Sequence, residues 1–232
     1  MTIAVLLGAP GAGKGTQAPL LAKRLGVPVL ASGELLRAEV ATGSEAGREV
    51  DAIMRSGELV PDQTVVRLFL DRLGRPDAAR GAILDGFPRT RAQAAALDAA
   101  LAEVGGRVDR ALLIDVPPED LISRFADRVI CRAGGHVYNL RTNPPRVPGV
   151  CDIDGSELVR RSDDAEETVR ARMLQQLGPL EEVVDHYRRL GILTAVDGTQ
   201  VIDKVAASLL AALGNPATGS PAAGSPTLGA GT

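Results

Sequence analysis

The chain has 232 residues, 45% of them hydrophobic, with a formal net charge of -3, enough apolar material for a full core that needs no staples. Its acidic balance and an aromatic content of 2%, with no Trp, exclude a general nucleic-acid binder and the stacking platforms that single strands require. Two cysteines are too few for a disulfide framework, and no apolar run approaches the roughly 18 residues of a membrane span. Met1-Thr2-Ile3 leads straight into a strand-like segment without a signal peptide, so a cytoplasmic protein is expected.

In chain order, short apolar runs at Ile3–Leu7, Val27–Ala31, Ala82–Leu84, Ala111–Val116 and Ile192–Val196 are each too apolar to have one wet face. They read as parallel strands covered on both sides. Between them, helical period predicts helices at Lys14–Leu25, Gly33–Val40, Glu45–Arg55, Thr64–Leu73, Arg91–Leu101, Glu119–Arg128, Asp164–Leu190 and Val201–Leu213. The alternation predicts an α/β fold with a doubly wound, five-stranded parallel sheet. Two stretches interrupt it: a mostly helical insert over 32–72 and a Gly/Pro/Asn-rich insert over 129–160. Inserts on a rigid scaffold are where lids and binding loops occur. The core is then expected to comprise 1–31, 73–128 and 161–214. Residues 215–232 carry no charge and few bulky side chains, which predicts a disordered tail.

The strongest chemical signal is Gly8-Ala9-Pro10-Gly11-Ala12-Gly13-Lys14-Gly15-Thr16, after the first strand and before the first helix. Such a turn aims backbone N–H groups at phosphate oxygens, places a helix N-terminus behind them, and lets the lysine reach the β and γ oxygens. Only Lys14, Lys23 and Lys204 are lysines, so 23 of the 26 basic residues are Arg, suited to forked contacts with phosphate. Asp85 closes the run Ala82–Leu84 at a carboxyl end of the sheet, where ligands meet an open α/β fold; capping a helix is its other reading. Arg37, Arg89, Arg124 and Arg128 read, taken singly, as solvated charges. Arg124 and Arg128 are four apart and would share a face of one helix. Val196-Asp197-Gly198-Thr199-Gln200 is a strand followed by a tight turn. His186 and Tyr187 read as packing or surface residues.

The loop resembles the GxPGxGKGT loop of nucleoside monophosphate kinases, and Gly15 stands where most P-loop proteins place a Ser or Thr. Ser32-Gly33-Glu34-Leu35-Leu36-Arg37 is similar to the segment that receives the acceptor nucleotide. Asp85-Gly86-Phe87-Pro88-Arg89-Thr90 with Gln93 resembles the adenylate kinase signature. The resemblance spans residues 1–213 and implies transfer of the γ-phosphoryl group of ATP to AMP, giving two ADP, with Mg2+. It implies ATP contacts from Gly11, Ala12, Gly13, Lys14, Gly15, Thr16, Arg124, Tyr138 and Gln200. It implies AMP contacts from Ser32, Gly33, Arg37, Glu58, Leu59, Val60, Gly86, Arg89, Gln93, Arg161 and Arg172. Lys14, Asp85, Arg89, Arg124, Arg128, Arg161 and Arg172 would be catalytic, with Asp85 orienting the Mg2+ waters, Gln93 reading the adenine edge and Asp163 and Asp164 pairing with the arginines. A monomer acting on small nucleotides is expected, without nucleic-acid or membrane partners. A UMP/CMP kinase and a non-catalytic nucleotide-binding module are the alternatives; the roughly 30-residue second insert resembles the long lid of bacterial adenylate kinases, and Ser32 stands where these usually have Thr.

Many long lids hold zinc on C-x-x-C followed by C-x-x-C or C-x-x-D, and others are metal-free. Here Cys131, Cys151 and Asp154 keep three ligand positions and Gly134 takes the fourth, so a metal-free lid with two reduced thiols is preferred. The alternative is a zinc site of Cys131, His136, Cys151 and Asp154, His136 lying two residues beyond Gly134.

Overall fold

Strand β1 (Thr2–Leu7) becomes the middle of a five-stranded parallel sheet ordered β2-β3-β1-β4-β8, with β2 at Val29–Ala31, β3 at Gly81–Asp85, β4 at Arg110–Asp115 and β8 at Leu193–Asp197. The computed structural model describes residues 2–56, 60–160 and 166–214, with the backbone alone at 55, 56, 126 and 166–174. Alternate residues of β1 feed two cores. Ile3, Val5 and Leu7 join Phe69, Leu97 and Tyr187 on one face, while Ala4 and Leu6 join Leu21, Leu112 and Leu209 on the other. Burial of both faces is why β1 lacks polar alternation.

The covering helices are α1 (Lys14–Leu25), α2 (Ser32–Ala41), α3 (Glu45–Ser56), α4 (Asp62–Leu73), α5 (Arg91–Glu103), α6 (Pro118–Ala126), α7 (Glu166–Arg189) and α8 (Ile202–Gly214), with a 3-10 turn at Pro76–Ala78. Helices α2, α3 and α4 fall within residues 32–73. The second insert is a small antiparallel sheet ordered β6-β5-β7, built from β5 (Arg128–Cys131), β6 (Val137–Asn139) and β7 (Leu158–Val159). Its own core is Val129, Cys131, Tyr138 and Cys151, with Leu158 packed against them.

One expectation is corrected. The helix predicted over Glu119–Arg128 ends at Ala126, and Asp127, at φ -97° and ψ 4°, leads the chain out of it. Arg128 therefore opens β5 and does not share a helix face with Arg124. The β-branched pair Val129 and Ile130 favours the strand, and it is paired on both sides, Val129 with Tyr138 and Ile130 with Val137 and Val159. The expectations for Glu58, Leu59, Arg161, Asp163, Asp164, the Arg172 side chain and the tail 215–232 lie outside the described residues.

Candidate functional site

The loop that follows β1 turns back on itself before α1. The Ala12 N–H donates to the Ala9 carbonyl at 3.1 Å, and the Thr16 and Gln17 N–H groups donate to the Gly13 carbonyl at 3.0 Å each. Gly11 sits at φ +84°, and a Cβ there would come 2.8 Å from the Phe125 ring of α6. A glycine is thus required for conformation and for space. Lys14 donates its ammonium to the Gly8 carbonyl at 2.6 Å and to the Ala9 carbonyl at 3.1 Å. The residue is half-buried. Desolvation lowers its pKa to about 8, opposed by the Asp85 charge and assisted by Arg89 and Arg128.

Asp85 is the last residue of β3, paired in register with Leu6. Burial raises its carboxyl above the ordinary range, while Lys14 and Arg89 pull it down and Glu34 pushes it up. A partly desolvated carboxylate at this edge supplies the hard oxygen that suits Mg2+ held through waters.

The candidate acceptor residues converge beside it. The Arg89 guanidinium donates to the Gly86 carbonyl at 2.8 Å and to the Ser32 hydroxyl at 3.1 Å. Ser32 is buried at the start of α2, and a Cβ at Gly33 would lie 3.1 Å from the Arg37 guanidinium. Gln93, 5% exposed, stands three residues into α5 from the N-cap Thr90, whose hydroxyl accepts from the Gln93 N–H at 3.1 Å. Its side-chain oxygen accepts from the Arg89 N–H at 2.7 Å and its amide nitrogen donates to Asp62 at 2.7 Å. Val60 is buried just ahead of α4. Asp62 was not singled out by sequence, because an acid in the first turn of a helix ordinarily serves the helix dipole.

Arg124 bridges the glycine-rich loop and the turn after β8, donating to the Ala12 carbonyl at 3.3 Å and to the Gly198 carbonyl at 2.7 Å. Arg128 reaches the same neighbourhood from the lid, its guanidinium 4.4 Å from the centroid of the Phe125 ring. Asn139, also missed, donates from its side chain to the Arg124 carbonyl at 3.1 Å. The turn after β8 is closed by Asp197, which accepts from the Thr199 N–H at 2.9 Å and from exposed Gln200 at 3.2 Å. Tyr138 lies in the lid core, its hydroxyl accepting from the Asp152 N–H at 2.8 Å.

In the lid, one ligand atom from each of Cys131, His136, Cys151 and Asp154 lies within 4.8 Å of all the others. Cys131 Sγ is 3.0 Å from an Asp154 oxygen, Cys151 Sγ is 3.3 Å from His136 Nδ1, and His136 Nδ1 is 3.4 Å from Asp154. A Cβ added at Gly134 would stand 2.4 Å from the His136 ring and 2.8 Å from Asp154. The imidazole thus fills the space that a side chain at 134 would occupy. The Gly134 N–H donates to Cys131 Sγ at 3.1 Å.

A doubly wound parallel sheet with a glycine-rich loop and its lysine between the central strand and the next helix defines a P-loop nucleotide-binding α/β protein. The family model for adenylate kinase matches residues 6–192. The chain is 47% identical over 209 residues to an adenylate kinase of Thermodesulfovibrio yellowstonii, covering 90% of this chain and 97% of that one. It is 44% identical over 213 residues to an adenylate kinase of Moorella thermoacetica, covering 90% and 97%. An adenylate kinase of Archaeoglobus fulgidus is 44% identical over 209 residues, with 90% and 96% covered. The chain belongs to the adenylate kinase family. Among the described residues, no helix is long and apolar enough to cross a membrane.

Proposed function

We propose that this chain transfers the γ-phosphoryl group of ATP to AMP, giving two ADP. The observation that carries the reading is the meeting of two phosphate-binding sets at one sheet edge: Lys14 and Asp85 at the ends of the P-loop and β3, and Arg89 with Ser32 and Gly86 beside them. The N–H groups of the loop, Gly11 to Thr16, with Lys14, Arg124 and the turn at Gln200, receive ATP. Ser32, Gly33, Arg37, Glu58, Leu59, Val60, Gly86, Arg89, Gln93, Arg161 and Arg172 receive AMP. Phosphoryl transfer through a loose transition state spreads charge over oxygens, so positioned cations do most of the work and no protein nucleophile is needed. Arg124, Arg128, Arg161 and Arg172 close on the phosphates as the lid, 129–160, moves over a core of 1–31, 73–128 and 161–214, with 32–72 holding the acceptor. Closure excludes water that would otherwise take the phosphoryl group. Asp85 would hold, through waters, the Mg2+ that accompanies ATP, and that ion would supply positive charge to the phosphates. The protein acts as a cytoplasmic monomer.

A coupled assay of ADP formation with AMP, CMP, UMP and GMP as acceptors tests this. AMP is expected to give the highest kcat/KM; a preference for CMP or UMP overturns the assignment.

For the lid we propose the zinc alternative in place of the metal-free one, on the spacing of its four candidate ligands. Four ligands on a tetrahedron with bonds of about 2.0–2.3 Å stand roughly 3.3–3.8 Å apart, and the closest contacts among the four side chains already approach that spacing. Cys131, His136, Cys151 and Asp154 would therefore hold a structural zinc, His136 replacing the ligand that Gly134 lacks. Elemental analysis of protein purified without chelator is expected to give one zinc per chain, lost in Cys151→Ser. Metal-free wild-type protein would restore the metal-free lid.

A further inference from the structure

We propose that Asp62 is a positioning residue that fixes which way round the Gln93 amide faces the acceptor base, and so makes the site select bases with an amino group over bases with an oxo group. This rests on the reading that Gln93 contacts that base.

The argument is one of donors and acceptors. Gln93 is 5% exposed, so its amide must find partners within the protein. Its two ends look alike in shape and differ only in hydrogen bonding. One end faces the Arg89 N–H at 2.7 Å, a group that only donates. The other faces Asp62 Oδ1 at 2.7 Å, a carboxylate that only accepts. The remaining carboxylate oxygen accepts from the Thr90 hydroxyl at 3.1 Å, and that hydroxyl in turn accepts from the Gln93 N–H at 3.1 Å. Reversing the amide would set donor against donor at Arg89 and acceptor against acceptor at Asp62. The oxygen is therefore locked toward Arg89 and the nitrogen toward Asp62.

Among the described residues each end keeps one unused bond, since an amide oxygen accepts twice and an amide nitrogen donates twice. The base meets an N–H beside a C=O in fixed order. That order complements a ring nitrogen that accepts next to an exocyclic amino group that donates, as in adenine. A 6-oxopurine presents the reverse, a ring N–H next to a carbonyl, and meets donor against donor and acceptor against acceptor. Cytosine carries the same pair as adenine, so Asp62 governs amino against oxo, while purine against pyrimidine is left to the size of the site.

AMP and IMP differ at this edge and are alike in ribose and phosphate, so the ratio of their kcat/KM values reads the lock directly. With Asp62→Ala, water serves the end that Asp62 held and only the Arg89 N–H still orients the amide, so the AMP:IMP ratio is expected to fall about tenfold, the worth of one hydrogen bond to a charged group. Asp62→Asn can turn either its carbonyl or its amide nitrogen toward Gln93, because the Thr90 hydroxyl can donate or accept, so its ratio is expected to fall between those of the wild type and Asp62→Ala. The KM for ATP should not move in either variant. Asp62→Ser, which imposes no order, repeats the test should Asp62→Ala fail to fold. A ratio unchanged in Asp62→Ala, with Gln93→Leu collapsing it, overturns the proposal and leaves the base contact standing. A ratio unchanged in Gln93→Leu removes the base contact itself.

Discussion

Lys14 sets burial against charge at a single atom. Its ammonium is withdrawn from water against the Gly8 and Ala9 carbonyls, and its pKa falls from the usual 10.5 to about 8. The folded chain thus holds this proton less tightly than the unfolded chain, so stability rises as pH increases from about 8 to about 10.5, and the destabilisation is full below about 8. Catalysis runs the other way, because only the ammonium form neutralises phosphate. The free-enzyme parameter kcat/KM for ATP is expected to fall as pH rises through about 8, whereas kcat, measured with phosphates holding the proton in place, should stay flatter across that limb. Lys14→Met should lose about 10³-fold or more in turnover and keep or raise its melting temperature at pH 7, since a desolvated charge is removed with the side chain. A variant retaining a tenth of wild-type turnover would remove Lys14 from the site.

At the scale of elements, the sequence located the buried central strands and missed the short strands of the second insert. The interior of β1, β3 and β4 is apolar because both faces are buried, whereas β8 at the sheet edge exposes Thr194 and Ala195; β1, β3, β4 and β8 fall within one residue of their predicted edges at every end, and β2 begins at Val29, later than the predicted Val27. The lid strands are two to four residues long, too short for a period, and their register comes from partners distant in sequence. Helix α6 shows the cost: an unbroken helical pattern ran on to Arg128, while the β-branched Val129 and Ile130 take the chain into β5 after Asp127. The P-loop, Asp85 and Arg89 were legible because their chemistry is local, whereas Asp62 and Asn139 act through partners about 31 and 15 positions away. Phe125 is where α6 earns its position: 4% exposed, it packs with Leu21 and Leu112 and lies against Gly11 and Arg128. Phe125→Ala should cost about 3–5 kcal/mol in a urea titration and raise the KM for ATP by loosening the loop. An unchanged midpoint would show that the loop is held without the ring.

Across the whole molecule, stability is unevenly divided. The two cores on either side of the sheet contain residues such as Phe69, Tyr187, Leu21 and Leu97 at 0% exposure. The lid core has four buried residues, two of them cysteines, and that is too little apolar surface to order a three-stranded sheet alone. Its tethers to the rest include the Asn139 contact with Arg124, a Leu140 N–H donated to the Asp127 carbonyl at 2.8 Å, and an exposed Arg141–Asp127 ion pair at 2.9 Å. An exposed pair of that kind contributes about 0–1 kcal/mol. The cluster of Cys131, His136, Cys151 and Asp154 crosses between the lid's two halves, so a metal held there would supply lid folding energy that the apolar contacts do not. Stripping the metal with a strong chelator should then unfold the lid while leaving the central sheet intact. In hydrogen exchange, amides of β5, β6 and β7 should lose protection while those of β1 and β4 keep theirs, as for a local opening unit of low stability. The kcat/KM for ATP should fall with the lid, because Arg128 sits on its first strand. Protection lost to the same degree in β1 and β5, or retained in both, would show that the lid does not depend on the cluster for its order.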